Sequence, residues 1–390
     1  MCHAGRPEVP KMMRNNKLQA WFIFLFVGWP CLTVSKEQQA RVAAIDTLVK
    51  KYIEFDKFNG CLLVVHDHQI IYESVHGVAN PETGELLTRE HRFRLASVAK
   101  QFTGIAIAIL KEDGKLDYND RIRKFLPELP YEDITIRHLL SHTSGLPDYG
   151  SILDQNWDTP HVNTQDRKIA NNYDAYENLI KHHPPALFRP GDRYKYCNTG
   201  YNLLALIIER ASGQTYHEFM RTRVFEPVGM KGTFVNAADG TLPDTLRACG
   251  FKPNPGATGY ADIDWHYQNG MFGDGGIYST IEDMYKFDQA LYGSTLVSQR
   301  TLNEAYSCSI LNDGKKVDYG FGWSIIHDNR GDFVAHGGGW AGFSPFFIRD
   351  YRNGNMIIQL TNRPGIRRGQ LAFSIYEILH GGKYEMPDGS

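Results

Sequence analysis

"DFVAHGGGWAGFSPFF", residues 332–347, can be read in three ways, each implying a different fold. His336-Gly337-Gly338-Gly339 matches the HGGG oxyanion-hole element of lipases, which requires a later G-x-S-x-G elbow. No G-x-S-x-G occurs in the chain, and only 51 residues follow Gly339. Gly337, Gly339 and Gly342 also fit G-x-G-x-x-G, which must follow a strand and open a helix. Here the glycines lead into "FSPFFIRD", aromatic and interrupted by Pro345, which reads as another strand and offers no helix N-terminus for a phosphate. What survives is a glycine-rich strand end where a substrate can approach the backbone closely.

Around this stretch, "YGFGWSIIHD", "DFVAHG", "GFSPFFIRD" and "NMIIQLTN" are short β-runs. Turn signals separate them at Asn329-Arg330-Gly331 and Asn353-Gly354. A helical pattern over 367–380 closes the chain. At the other end, 37–56 predicts a helix with Val42, Ile45, Val49, Tyr52 and Ile53 on one face. "GCLLVVHDHQIIYESVHG" reads as a hairpin turning at Asp67-His68. Val98, Phe102, Ile105 and Ile109 then mark a helix apolar nearly all round, hence buried, with a stop at Gly114. Residues 120–275 are loop-rich, with helical islands at 135–141, 172–182, 200–212 and 215–223. Strands at both ends and helices between predict an α/β chain of the α+β type: an antiparallel sheet flanked by helices, plus a mainly helical subdomain. The expected organisation is one catalytic domain, 36–384, divided into an α/β subdomain (36–119 and 276–384) and a helical one (120–275).

Composition excludes several classes. The chain is 42% hydrophobic and 22% charged, with formal charge −2 and no basic block, so nucleic acid is not an expected partner. Residues 18–34, "LQAWFIFLFVGWPCLTV", form an apolar stretch short for a membrane span and preceded by Arg14 and Lys17. With Thr33-Val34-Ser35 before the cut, residues 1–35 read as a signal peptide, and Met13 is an alternative start. Cleavage removes Arg6, Lys11, Arg14, Lys17 and Glu8, moving the formal charge from −2 to −5 and leaving no stable membrane span. The expected location is periplasmic or secreted, and the lack of an N-x-[ST] sequon favours a bacterial source. Cys61, Cys197, Cys249 and Cys308 are too irregularly spaced for a zinc site or a disulfide framework. They read as buried small hydrophobes, with one disulfide left open.

Ser97-Val98-Ala99-Lys100 begins the buried helix. At this spacing one turn brings the amine beside the hydroxyl, where a desolvated lysine can act as base. The helix N-terminus adds partial positive charge where an oxyanion would form. Tyr196-Cys197-Asn198 precedes a second apolar helix, "YNLLALIIERASG". A tyrosine hydroxyl can relay protons, and an asparagine amide can both bind a carbonyl and hold a lysine. Ser141 and Ser144 have no lysine three residues on and read as loop-forming. His138 and His142 lack the glutamate of H-E-x-x-H and a third ligand, so no metal is expected there.

In this order, Ser97-x-x-Lys100, Tyr196-x-Asn198 and His336-Gly337-Gly338 resemble the three motifs of the serine penicillin-binding proteins and class C β-lactamases. "ITIRHLLSHTSGLPDY" (134–149) and "YCNTGYNLLALIIERASG" (196–213) add to the likeness, which spans roughly residues 40–380. The resemblance implies Ser97 as acyl-accepting nucleophile, Lys100 and Tyr196 sharing base and acid work, and Asn198 orienting the substrate. It further implies an oxyanion hole from the Ser97 and Gly339 amides, with His336, Gly338 and Gly339 on an edge strand along which substrate runs antiparallel. Neither metal nor cofactor is implied; the partner is a small-molecule or peptide acyl substrate, and oligomeric state stays open. The usual third motif is Lys-Thr-Gly, whose lysine binds a substrate carboxylate. His336 and Gly337 depart from it, and a histidine of ordinary pKa is mostly neutral at pH 7. The expectation is therefore an exported serine hydrolase with poor β-lactam turnover and better ester hydrolysis. Its rivals are a D-amino-acid peptidase or β-lactamase on cell-wall-type substrates, and an acylated but non-hydrolytic sensor.

Overall fold

The computed structural model describes residues 35–157, 168–237, 246–254, 259–364 and 369–388; the expected signal peptide lies outside them except for Ser35. A six-stranded antiparallel sheet forms the centre. Its strands are β1 (Gly60–His66), β2 (Gln69–His76), β3 (Ser324–Asp328), β4 (Gly331–Gly337), β5 (Phe346–Asp350) and β6 (Asn355–Thr361), in the order β3-β4-β5-β6-β1-β2. The two ends of the sequence meet where β1 pairs with β6, Gly60 opposite Thr361 through Val65 opposite Met356.

Alternation along these strands builds two cores, because successive side chains point to opposite faces. Leu62, Val64, Ile357 and Ile348 pack beneath α1 (Lys36–Glu54) and α5 (Gln370–Leu379). Leu63, Val65, Ile358 and Phe347 face the larger core. That core receives α2 (Lys100–Glu112), α3 (Asn198–Ser212) and α4 (Ile281–Ala290). From Gln101 to Leu110 every residue of α2 is buried, as its apolar circumference predicts, and Gly114 ends it with φ +70°. At about 1.5–3 kcal/mol for each large apolar side chain buried, α2 and its neighbours form a rigid floor for the residues at its N-terminus. No helix among the described residues is long and apolar enough to cross a membrane.

The expected turns are present: Asp67 and His68 both have positive φ, and β3 pairs back on β4 from Asp328 opposite Gly331. That pairing changes one expectation. The strand ending in His336-Gly337 is not the sheet edge, since β3 covers it from Gly331 to Ala335 and only its last residues emerge beyond Ser324. Helices over Tyr149–Asn156, Ile281–Ala290 and Gln299–Ala305 were not anticipated; all three start at a side-chain cap, Asp148, Thr280 and Ser298. Residues 120–275 also contain short strands. Phe234–Val235 joins Ile277–Ser279 and Phe93–Arg94 in a small sheet that runs straight into the Ser97 turn. The four cysteines among the described residues are free; Cys61 and Cys197 are buried, whereas Cys249 and Cys308 are only half-buried.

Candidate active site

Ser97 sits one turn earlier than a helix start would place it. Residues 96–99 form a 3₁₀ turn and α2 proper begins at Lys100. The turn opens with Ala96 at φ +45°, a left-handed conformation costly for a residue with a Cβ. Two backbone contacts hold it there. The Leu95 N–H donates to Ile277 O at 2.8 Å in the small sheet, and Gly338 abuts it from β4's end. A Cβ on Gly338 would stand 2.4 Å from Leu95 O and 3.0 Å from the Ala96 Cβ. Glycine at 338 is thus what lets the third motif close against the serine turn, 241 positions away in sequence.

Lys100 is wholly buried. Its Nζ is 3.1 Å from Ser97 Oγ, 2.9 Å from Asn198 Oδ1 and 2.8 Å from Asp274 O. Asn198 opens α3, and its N–H donates to Asp148 Oδ2 at 2.9 Å, so the N-terminus of that helix is anchored by a carboxylate. Two tyrosine rings enclose the amine, Tyr196 at 4.9 Å and Tyr201 at 5.5 Å from Nζ to centroid. Tyr196 is 37% exposed, so its ring packs beside the lysine and keeps part of its surface in solvent.

The structure adds residues to which the sequence reading gave no place in the site, among them His142, weighed there only as a metal ligand. His142 stacks on Tyr196 with centroids 4.1 Å apart, and its Nδ1 accepts from the Cys197 N–H at 3.2 Å. Burial, reinforced by the Lys100 and His336 charges, drives its pKa well below the ordinary value, so the ring is neutral. Asp274 is buried behind the lysine, where Tyr149 donates its hydroxyl to Oδ2 at 2.9 Å while Oδ1 has no partner among the described residues. Burial raises its pKa, and Lys100 opposes that rise. Tyr319 donates to or accepts from His336 Nε2 at 3.0 Å, and His336 Nδ1 is 2.8 Å from Gly337 O. His336 is therefore packed between Tyr319 and the Gly337 carbonyl, only 6% exposed. The signals for these residues were present but unspecific: an aspartate among glycines (273–276), a histidine in a loop, a tyrosine before a β-run.

Ser97, Lys100, Tyr196, Asn198 and His336, spread over 240 positions, meet around the Lys100 amine and β4's open end, with Gly338 beneath them and Gly339 following. Ser141 donates to Arg137 O and Ser144 accepts from the Leu146 N–H, both serving the local loop.

The beta-lactamase family model matches residues 45–376. Penicillin-binding protein 4* of Bacillus subtilis (strain 168) is 36% identical over 359 residues, covering 88% of this chain and 77% of that protein. A D-aminopeptidase of Brucella anthropi is 25% identical over 311 residues, covering 77% of this chain and 56% of the longer relative. Among solved structures, a penicillin-binding protein from Bacillus halodurans superposes with a TM-score of 0.71 at 27% identity, over 86% of this chain and 97% of that one.

Proposed function

The chain belongs to the beta-lactamase family, and from that premise we propose that it is an exported serine hydrolase that cleaves ester or amide bonds through an acyl-enzyme on Ser97. The carrying observation is the coordination of the Lys100 amine. Asn198 Oδ1 and Asp274 O can only accept, so they take two N–H bonds and fix the third direction of Nζ on Ser97 Oγ. In the neutral amine that direction holds the lone pair, placed to receive the hydroxyl proton. Ser97 Oγ then attacks the acyl carbon as its proton passes to Lys100. The N–H of Gly338 is committed to Pro345 O at 2.8 Å, which leaves the next amide, Gly339, to pair with that of Ser97 as the oxyanion hole. Tyr196, above the amine and partly open, is positioned to protonate the leaving group and then to take a proton from the deacylating water. Asn198 orients the substrate with the rest of its amide.

A fluorophosphonate probe should label the wild-type chain and fail to label Ser97→Ala; equal labelling of both would remove Ser97 as nucleophile. Substrate class is read from a panel of p-nitrophenyl esters, D-amino-acid amides and nitrocefin. Because His336 is engaged with Tyr319 and stands where the usual Lys-Thr-Gly motif has lysine, ester turnover should exceed nitrocefin turnover in kcat/KM. The D-aminopeptidase relative supports a second reading, a D-amino-acid peptidase, for which the D-amide arm of the panel would dominate. Labelling without turnover of any substrate would instead mark an acylated sensor.

A further inference from the structure

Away from the serine site, two β-ribbons bring four donor side chains together. Ser309–Ile310 pairs with Lys316–Val317, Ser309 opposite Val317, so Cys308 and Asp318 face each other at the open end of that ribbon. Asp318 O accepts from the Ile325 N–H at 3.0 Å, which docks this end on β3. In the neighbouring hairpin His327 of β3 is opposite Asp332 of β4. The distances are Cys308 Sγ to His327 Nε2 3.6 Å, Cys308 Sγ to Asp318 Oδ1 3.6 Å, and His327 Nε2 to Asp318 Oδ1 3.2 Å.

That triangle has the dimensions of one face of a zinc tetrahedron. With Zn–S about 2.3 Å and Zn–N and Zn–O about 2.0–2.1 Å, tetrahedral angles put sulfur about 3.5–3.6 Å from N and O, and N about 3.3 Å from O. The other nitrogen of His327, Nδ1, is 2.9 Å from Asp332 Oδ1, the carboxylate–histidine arrangement that fixes the ring of a metal ligand. Thiolate, imidazole and carboxylate together suit a borderline-soft divalent ion. His327 and Asp318 are about half exposed, which leaves a fourth position for solvent.

We propose that Cys308, Asp318 and His327 bind Zn²⁺, with water as fourth ligand and Asp332 orienting His327. Binding forms three protein–metal bonds and releases the Cys308 thiol proton to solvent. The ion would bind the Cys308–Asp318 ribbon to the β3–β4 hairpin. The ion would sit at the turn end of β4, beside Asp332, and its link to the substrate end would run through Asp318 and the adjoining Tyr319, the partner of His336. The site is independent of the serine chemistry and stands or falls separately.

The test uses the mature chain without a histidine tag. Calorimetric titration with ZnCl₂ should give one equivalent, weakened at least about 100-fold in Cys308→Ser and in His327→Gln, and about 10–100-fold in Asp332→Asn. Substituted cobalt(II) should show the thiolate-to-metal charge-transfer band in wild type and lose it in Cys308→Ser. Weak binding that is equal in wild type and Cys308→Ser overturns the proposal. So does a wild-type cobalt spectrum without the thiolate band, a result that needs no variant to fold.

Discussion

At the scale of single residues, the candidate site is where local rules are broken. Ala96 holds a positive φ, Lys100 has no exposure, and Gly338 touches backbone where any side chain would collide. Gly338→Ala should push the β4 end off the Leu95–Ala96 turn. A displacement near 1 Å at a reacting centre costs on the order of 100-fold in rate. We expect a drop of about that size in kcat/KM in ester hydrolysis assays; unchanged kinetics would mean the turn tolerates the shift. Lys100→Ala removes the proposed base and leaves Asn198 Oδ1 and Asp274 O without their donor. Its acylation rate, measured by stopped-flow probe labelling, should fall by at least about 10³-fold, as expected for an interaction made in the transition state.

At the scale of elements, one buried ion pair crosses the join between sheet and helical layer. Arg349 of β5 contacts Asp288 of α4, both about 1% exposed, and its guanidinium covers the Tyr292 ring at 4.0 Å. Removing one partner strands a buried charge, whereas replacing both by apolar residues of similar volume does not. Arg349→Ala should therefore cost about 3–5 kcal/mol in urea unfolding, and Arg349→Met with Asp288→Leu should recover much of it. A double variant no more stable than the single one would show that the pair is needed for more than charge balance. The β3–β4 hairpin is the other telling element. Its turn was legible at Asn329-Arg330-Gly331, yet its consequence, that β4 is covered except at its last residues, follows only from register.

For the whole molecule, acid stability carries the imprint of the site. His142 has a folded pKa well below the ordinary histidine value, mainly through burial, so below about pH 6.5 the unfolded chain binds a proton the folded chain refuses. Its contribution is nil above that pH, and stability then falls by up to about 1.4 kcal/mol per pH unit until the folded pKa is reached. Asp274, raised by burial, acts in the opposite sense from the ordinary carboxylate range up to its folded pKa. Comparison with His142→Asn isolates the histidine, since asparagine tolerates φ +56° and can accept from Cys197. The loss of urea stability between pH 7.5 and 5.5 should shrink by about 1 kcal/mol in the variant; an identical loss would assign the acid slope elsewhere. By itself the sequence determined the types of the central strands and of the longer apolar helices, the two-ended sheet and the Ser97–Lys100 adjacency, because period 2, period 3.6 and one helical turn are local geometry. It also marked Tyr196, Asn198 and His336 as candidates. Only the tertiary structure decided that Asp274 and His142 flank the lysine, that His336 turns to Tyr319, and that Cys308, Asp318 and His327 converge. Those contacts are made across strand register and helix docking, between residues whose own neighbours in sequence carry no trace of the partner.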